Sequence, residues 1–207
     1  MIYTKEWAFI HIPKTAGINL KVNLLKNNSE IISPFPFKDD MFKDLTQLWR
    51  NQQHNPYWWW QKQGVLTDQK AFSIVRNPYD RAASFYNFVT AMHPRVTVSF
   101  EDFYLDEWNS LIGWDFRLDS VHWNYKTTQL EFMKPLGGDK YPEVYKYETD
   151  LLKLQEYLKV DITSTRLNSQ SLINFYEFYN ADRSKIELVN TLFKDDFNAF
   201  DYKMETP

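Results

Sequence analysis

Apolar residues along the chain fall into two patterns. Ala8–Ile12 and Ala71–Val75 are short, nearly unbroken apolar runs, the signature of strands buried on both faces of a parallel sheet. Val144–Tyr147 reads as a third core strand, and Glu30–Ser33 as a further short one. Between them the period changes to that of helices. Ile18–Lys26 places Ile18, Val22 and Leu25 on one side, and Lys38–Arg50 does so with Met41, Leu45 and Leu48. Tyr79–Ala91 buries Ala82, Phe85, Tyr86 and Val89, and helices are expected from Ser99, over Thr149–Leu158 and over Arg183–Phe200. Strands alternating with helices predict an α/β domain with a central parallel sheet flanked by helices, spanning 1–207 as one unit. The segments 51–63, 108–124 and 162–171 show no clear period, and Gly137-Gly138-Asp139 marks a turn.

Two of the strand ends carry the punctuation of a ligand site. Pro13 stops the first strand because it has no N–H to give to a ladder. Lys14-Thr15-Ala16-Gly17 then forms a tight turn into a helix. A helix N-terminus offers unpaired N–H groups and the positive end of its dipole, which suits phosphate. Arg76 leaves the end of the second core strand, and Asn77-Pro78 announces the following helix as cap and first residue. Ser84 falls on the same side of that helix as Asp80 and Arg81. A guanidinium and a hydroxyl on one point make a second anion site, so the pair fits a nucleotide with phosphates at both ends of its ribose.

Composition narrows the picture. With 207 residues, 43% hydrophobic and 25% charged, the chain is globular and long enough for one core. A net charge of −3 excludes a nucleic-acid binder working through a broad basic face, so any anion site is local. There is no cysteine, which removes disulfides and thiol chemistry and fits a reducing, cytoplasmic setting. No apolar run approaches the roughly 18 residues that span a bilayer, and a soluble protein is expected. Aromatics reach 18%, and the run Trp58-Trp59-Trp60 cannot point into one core from any regular element, so at least one ring is expected at the surface or a cleft.

His11-Ile12-Pro13-Lys14-Thr15-Ala16-Gly17 closely resembles the 5′-phosphosulfate loop of sulfotransferases that use 3′-phosphoadenosine 5′-phosphosulfate (PAPS). Ile74–Ser84 resembles the 3′-phosphate motif of the same family, nearest to its carbohydrate-type branch. Looser similarity continues through His122-Trp123, Gln129, Tyr147-Glu148, Leu167-Asn168 and Phe193–Tyr202. The resemblance implies a fold like that of P-loop NTPases and a small-molecule or carbohydrate acceptor. It implies that Pro13, Lys14, Thr15, Ala16, Gly17, Ile18 and Asn19 hold the 5′ side, with Lys14 at the oxygen bridging phosphorus and sulfur. Arg76 and Ser84 are implied at the 3′-phosphate. Many relatives have threonine or serine where this chain has Ile18 and Asn19.

Sulfuryl transfer is an in-line displacement that builds negative charge on the leaving oxygen, so a lysine there and a helix N-terminus behind it are the expected residue types. The acceptor hydroxyl needs a base. Of four histidines, His122 matches a family position and His54 lies between the first two core strands, where relatives often carry the base. His11 reads as a core residue, His93 as a helix-end residue, and Asp39 and Asp40 are outside candidates. Arg81 reads as a structural ion-pair partner. No metal is expected, because no histidine has metal-like spacing to another. A P-loop kinase or hydrolase is the rival, although G-x-x-x-x-G-K-[ST] is missing. A nucleotide-binding protein without turnover is the other.

Overall fold

The computed structural model describes residues 1–27, 30–32, 54–92, 97–105, 125–162, 178–179 and 182–207. Its centre is a four-stranded sheet in the order β1-β2-β3-β4, formed by Ile2–Tyr3, Trp7–Ile10, Lys70–Val75 and Glu143–Lys146. β2, β3 and β4 run parallel, with Phe9 beside Phe72 and Ile74 beside Tyr145. β1 is antiparallel to β2 and only two residues long, too short to leave a periodic signal in the sequence. Of the strand expected over Glu30–Ser33, the described residues 30–32 show one antiparallel bridge, between Ile32 and Tyr3.

Successive residues of β2 enter different cores, as a strand's period of two requires. Trp7 and Phe9 pack with Phe72, Ile74 and Tyr145 under α1 (Gly17–Asn27) and under α6 (Leu151–Leu158). Ala8 and Ile10 face the opposite way, against Tyr57 and Trp60 of α2 (Tyr57–Lys62). The tryptophan run thus divides as its helical period demands. Trp60 is buried and donates from its indole to the Asn55 carbonyl (3.0 Å), while Trp58 and Trp59 are half-buried.

α3 (Pro78–Met92) follows β3 and starts where the sequence places it. Asn77 Oδ1 accepts from the Tyr79 amide at 3.0 Å, and Pro78 fills the first helical position. α3 joins α4 (Phe100–Leu105) and α7 (Arg183–Leu192) in a third, aromatic core. The long C-terminal helix expected over Arg183–Phe200 is broken at Phe193, and α8 (Lys194–Ala199) resumes at once. The break has a tertiary cause. Phe193 and Phe197 are buried, and Asp196 accepts the amides of Gln129 and Leu130 at 2.9 Å each. Those are the first amides of α5 (Gln129–Met133), which Thr128 and Glu131 close with a reciprocal capping box. The helix expected over 38–50, the aromatic stretch 108–124 and most of the loop 162–171 lie outside the described residues.

Asp196 also lies 3.9 Å from Arg81, with both side chains almost fully buried. Burial raises the Asp196 carboxyl's pKa, and Arg81 and the α5 amides oppose that rise. Asp196→Ala leaves the buried Arg81 charge without its carboxylate and two helix amides without their acceptor, and breaking such a pair typically costs about 3–5 kcal/mol. Urea denaturation of D196A is expected to show a loss of that order with an unchanged slope.

Candidate functional site

The first loop is held by its carbonyls. The His11 carbonyl accepts from His54 Nδ1 at 3.1 Å, and the Ile12 carbonyl from the Thr15 hydroxyl at 3.0 Å. Arg81 Nε donates to the Pro13 carbonyl at 3.2 Å, and Arg76 Nη1 to the Lys14 carbonyl at 3.4 Å. The Ala16 carbonyl accepts the Asn19 amide at 3.1 Å. Lys14 and Ala16 both have positive φ, 68° and 65°, the left-handed region that non-glycine residues occupy at a cost. Such alternating backbone makes a nest in which successive N–H groups converge. The amides of Lys14, Thr15, Ala16, Gly17 and Ile18 have no acceptor among the described residues. The loop thus spends its acceptors on the protein and keeps its donors for something else.

Gly17 serves this arrangement by close packing. Its φ is not positive; a Cβ there would overlap the His11 imidazole and press on the Phe9 ring. His11 is buried, stacks on Phe9 and lies 4.3 Å, centroid to centroid, from His54. The satisfied core histidine expected at position 11 is buried, but its Nδ1 finds no partner among the described residues. Burial first, and the charge of His54 second, hold its pKa well below the usual imidazole range.

The second motif meets the first through α3. Arg81, Ser84 and Phe88 lie on one stripe of that helix at i, i+3 and i+7. Arg81 reaches the Pro13 carbonyl, and the Phe88 ring lies 4.1 Å beneath Lys14 Nζ, so the half-buried Ser84 sits between two contacts to the loop. Arg76 is positioned by its own backbone. The Gln129 amide donates to the Arg76 carbonyl (2.8 Å) and accepts from the Arg76 N–H (2.8 Å). The Arg76 guanidinium lies over the Tyr147 ring at 5.3 Å, and its Nε is buried with no partner among the described residues. Glu148 accepts the Asn77 amide at 2.8 Å and the Tyr202 hydroxyl at 2.8 Å.

The electrostatics follow from this crowding of cations. Burial and then the charge of Arg76 lower the Lys14 pKa to about 8. Burial pushes His54 down to about 3, its bond to the His11 carbonyl opposes that, and Lys21 and Lys14 depress it further. Because a carbonyl only accepts, His54 carries its proton on Nδ1, and Nε2 is the basic nitrogen.

The expected residues are therefore placed as follows. Lys14, Thr15, Ala16 and Gly17 form the loop and the first helical residue, and Arg76 joins them through the Lys14 carbonyl. Thr15 is fully buried with its hydroxyl turned to Ile12, so the amide, not the hydroxyl, is what it offers. Ile18 is 40% exposed, which removes it from the core stripe expected of it. Asn19 is half-buried and closes the first turn. Arg81 is the structural ion-pair partner expected. His54 comes to the inner side of the loop. His122, His93, Asp39 and Asp40 lie outside the described residues. The contacts of Gln129 to Arg76 and of Phe88 to Lys14 were not read from the sequence. Neither leaves a local pattern, because each joins residues of different elements.

A loop donor nest, a lysine and a guanidinium whose Nε has no partner among the described residues, at adjacent parallel-strand ends, define a class of anion-handling α/β protein. The model of the Sulfotransferase family matches residues 3–203, and the chain belongs to that family. Searches of the curated proteins and of the solved structures gave no match. Among the described residues no group of three or more His, Asp or Glu side chains is placed to hold a metal ion, and no helix is long and apolar enough to cross a membrane.

Gly17→Ala forces the α1 N-terminus off His11, and overpacking of this kind typically costs about 1–3 kcal/mol. His11→Ala removes the obstructing ring, so a double-mutant cycle should show the two changes coupled. Equal cost of G17A in both backgrounds would contradict the packing role.

Proposed function

We propose that this protein moves the sulfuryl group of PAPS to an acceptor hydroxyl on a small molecule or carbohydrate, releasing adenosine 3′,5′-bisphosphate. The observation that carries the reading is the loop whose Ile12, Pro13, Lys14 and Ala16 carbonyls are tied inward while the amides of residues 14–18 have no acceptor among the described residues. Those amides and the α1 N-terminus bind the 5′-phosphate. Arg76 Nε and the Ser84 hydroxyl bind the 3′-phosphate and so select this nucleotide over adenosine 5′-phosphate.

The acceptor oxygen attacks sulfur as the bond from sulfur to the bridging oxygen breaks, and the acceptor's proton leaves to a base. Lys14 donates to the leaving oxygen, whose charge grows as the bond lengthens. A lysine with a pKa near 8 is still mostly charged at neutral pH, yet it is desolvated enough to interact strongly. His54 Nε2 and His122 are the proposed bases. One observation favours the second reading, binding without turnover. A His54 pKa of about 3 makes it a weak proton acceptor unless a bound anion raises it.

Thermal shifts decide between donor classes. Adenosine 3′,5′-bisphosphate at 100 times its dissociation constant should stabilise by about 2.7 kcal/mol, while ATP–Mg²⁺ and adenosine 5′-phosphate do much less. Preference for ATP–Mg²⁺ would sink the donor assignment. Lys14→Met should lower the transfer rate about 10²–10³-fold. The free protein loses the Lys14 proton as pH rises through about 8, whereas the anion complex retains it, so binding takes up a proton above that pH. Bisphosphate affinity is therefore expected to fall above pH 8, by at most tenfold per unit, and calorimetry on K14M should lack that limb.

A further inference from the structure

Lys14 is a buried-side cation with an unusual neighbour. No carboxylate among the described residues pairs with it, and the charge that shifts its titration is that of Arg76, of like sign. What Nζ does touch is the face of Phe88, 4.1 Å from the ring centroid. Phe88 is 38% exposed in a helix whose neighbours Phe85 and Val89 fill the aromatic core. A phenylalanine left partly at the surface, against the Lys14 ammonium of the loop, does little for that core.

We propose that Phe88 is a positioning residue for the transfer, holding the Lys14 ammonium on its ring face at the place where the leaving oxygen arrives. A carboxylate in the same place would neutralise the lysine and repel an incoming anion. An aromatic face attracts the cation through its quadrupole and carries no net charge, so the remaining N–H groups of the ammonium stay available to the ligand. The ring also shields one side of the ammonium from water, and the left-handed backbone at Lys14 limits where its side chain can start from. Phe88 thereby sets the catalytic cation in advance, an ordering that enzymes exploit at charge-stabilising groups.

The inference rests on the PAPS reading for its function but not for its geometry, and the experiment separates the two. In the nucleotide-free full-length protein, the rate at which an N-hydroxysuccinimide ester acylates Lys14 is followed by mass spectrometry. It is compared for wild type, Phe88→Leu, Phe88→Tyr and a variant with pentafluorophenylalanine at 88, which keeps the ring's shape and reverses its quadrupole. Circular dichroism and thermal melting confirm the fold of each. Loss of the ring's attraction for the ammonium, in a site that stays apolar, favours the free amine that reacts, so labelling should rise roughly three- to tenfold in the leucine and pentafluoro variants and stay near wild type in the tyrosine variant. In sulfuryl transfer the same two variants should lose a similar factor in kcat, with KM for PAPS changed less, because Lys14 stays charged near neutral pH and the loop amides and Arg76 share donor binding with it. Tyrosine should rescue. Equal labelling across the series, or a loss that pentafluorophenylalanine does not share with leucine, would overturn the proposal. Failure of the wild-type protein to bind adenosine 3′,5′-bisphosphate would sink the donor reading, while the nucleotide-free labelling would still decide whether Phe88 holds Lys14.

Discussion

The site depends on where five carbonyl oxygens point. Those of His11, Ile12, Pro13, Lys14 and Ala16 are all engaged from within the protein, by two side chains of the neighbouring motif, one histidine, one hydroxyl and one amide. A peptide plane whose oxygen is fixed has its N–H direction fixed too, so the bonds to the Pro13, Lys14 and Ala16 carbonyls aim the amides of Lys14, Thr15 and Gly17. The loop therefore presents donors because its acceptors are occupied, and the left-handed backbone at Lys14 and Ala16 is the strain that this orientation requires.

This constraint links parts of the fold that are far apart in sequence. Arg81 reaches from α3 to Pro13 and Thr127 and pairs with Asp196 from the start of α8. Asp196 anchors the first amides of α5, and α5 supplies Gln129, which clamps both backbone groups of Arg76. One chain of buried polar contacts thus fixes both motifs to each other. Each buried polar group is costly unless matched, so the network specifies one geometry. It accounts for the broken C-terminal helix: helical continuity yields where Asp196 must face inward.

Much of this was legible in the sequence, and the remainder was not for identifiable reasons. Apolar runs located β2 and β3 because strands covered on both faces have no polar alternation to confuse them. The turn after Pro13 and the cap at Asn77 are local chemistry, and both stand where the residues imply. β1 carries too few residues to register, and the break at Phe193 comes from partners more than sixty residues away. In the site, the loop, Arg76 and Arg81 were readable from spacing. The roles of individual atoms were not: Thr15 turns its hydroxyl inward, Gly17 exists for His11, and Phe88 lies under Lys14. Such roles depend on side-chain direction across elements, and a linear pattern holds no record of it.

The most direct test of an outward-facing donor loop is an amide-resolved titration. With ¹⁵N-labelled protein, adenosine 3′,5′-bisphosphate should move the amide signals of residues 14–18 and the Arg76 Nε–H signal together. Adenosine 5′-phosphate should move the loop amides and leave Arg76 in place. Shifts scattered over the fold, or a loop that stays silent while Arg76 responds, would contradict the account.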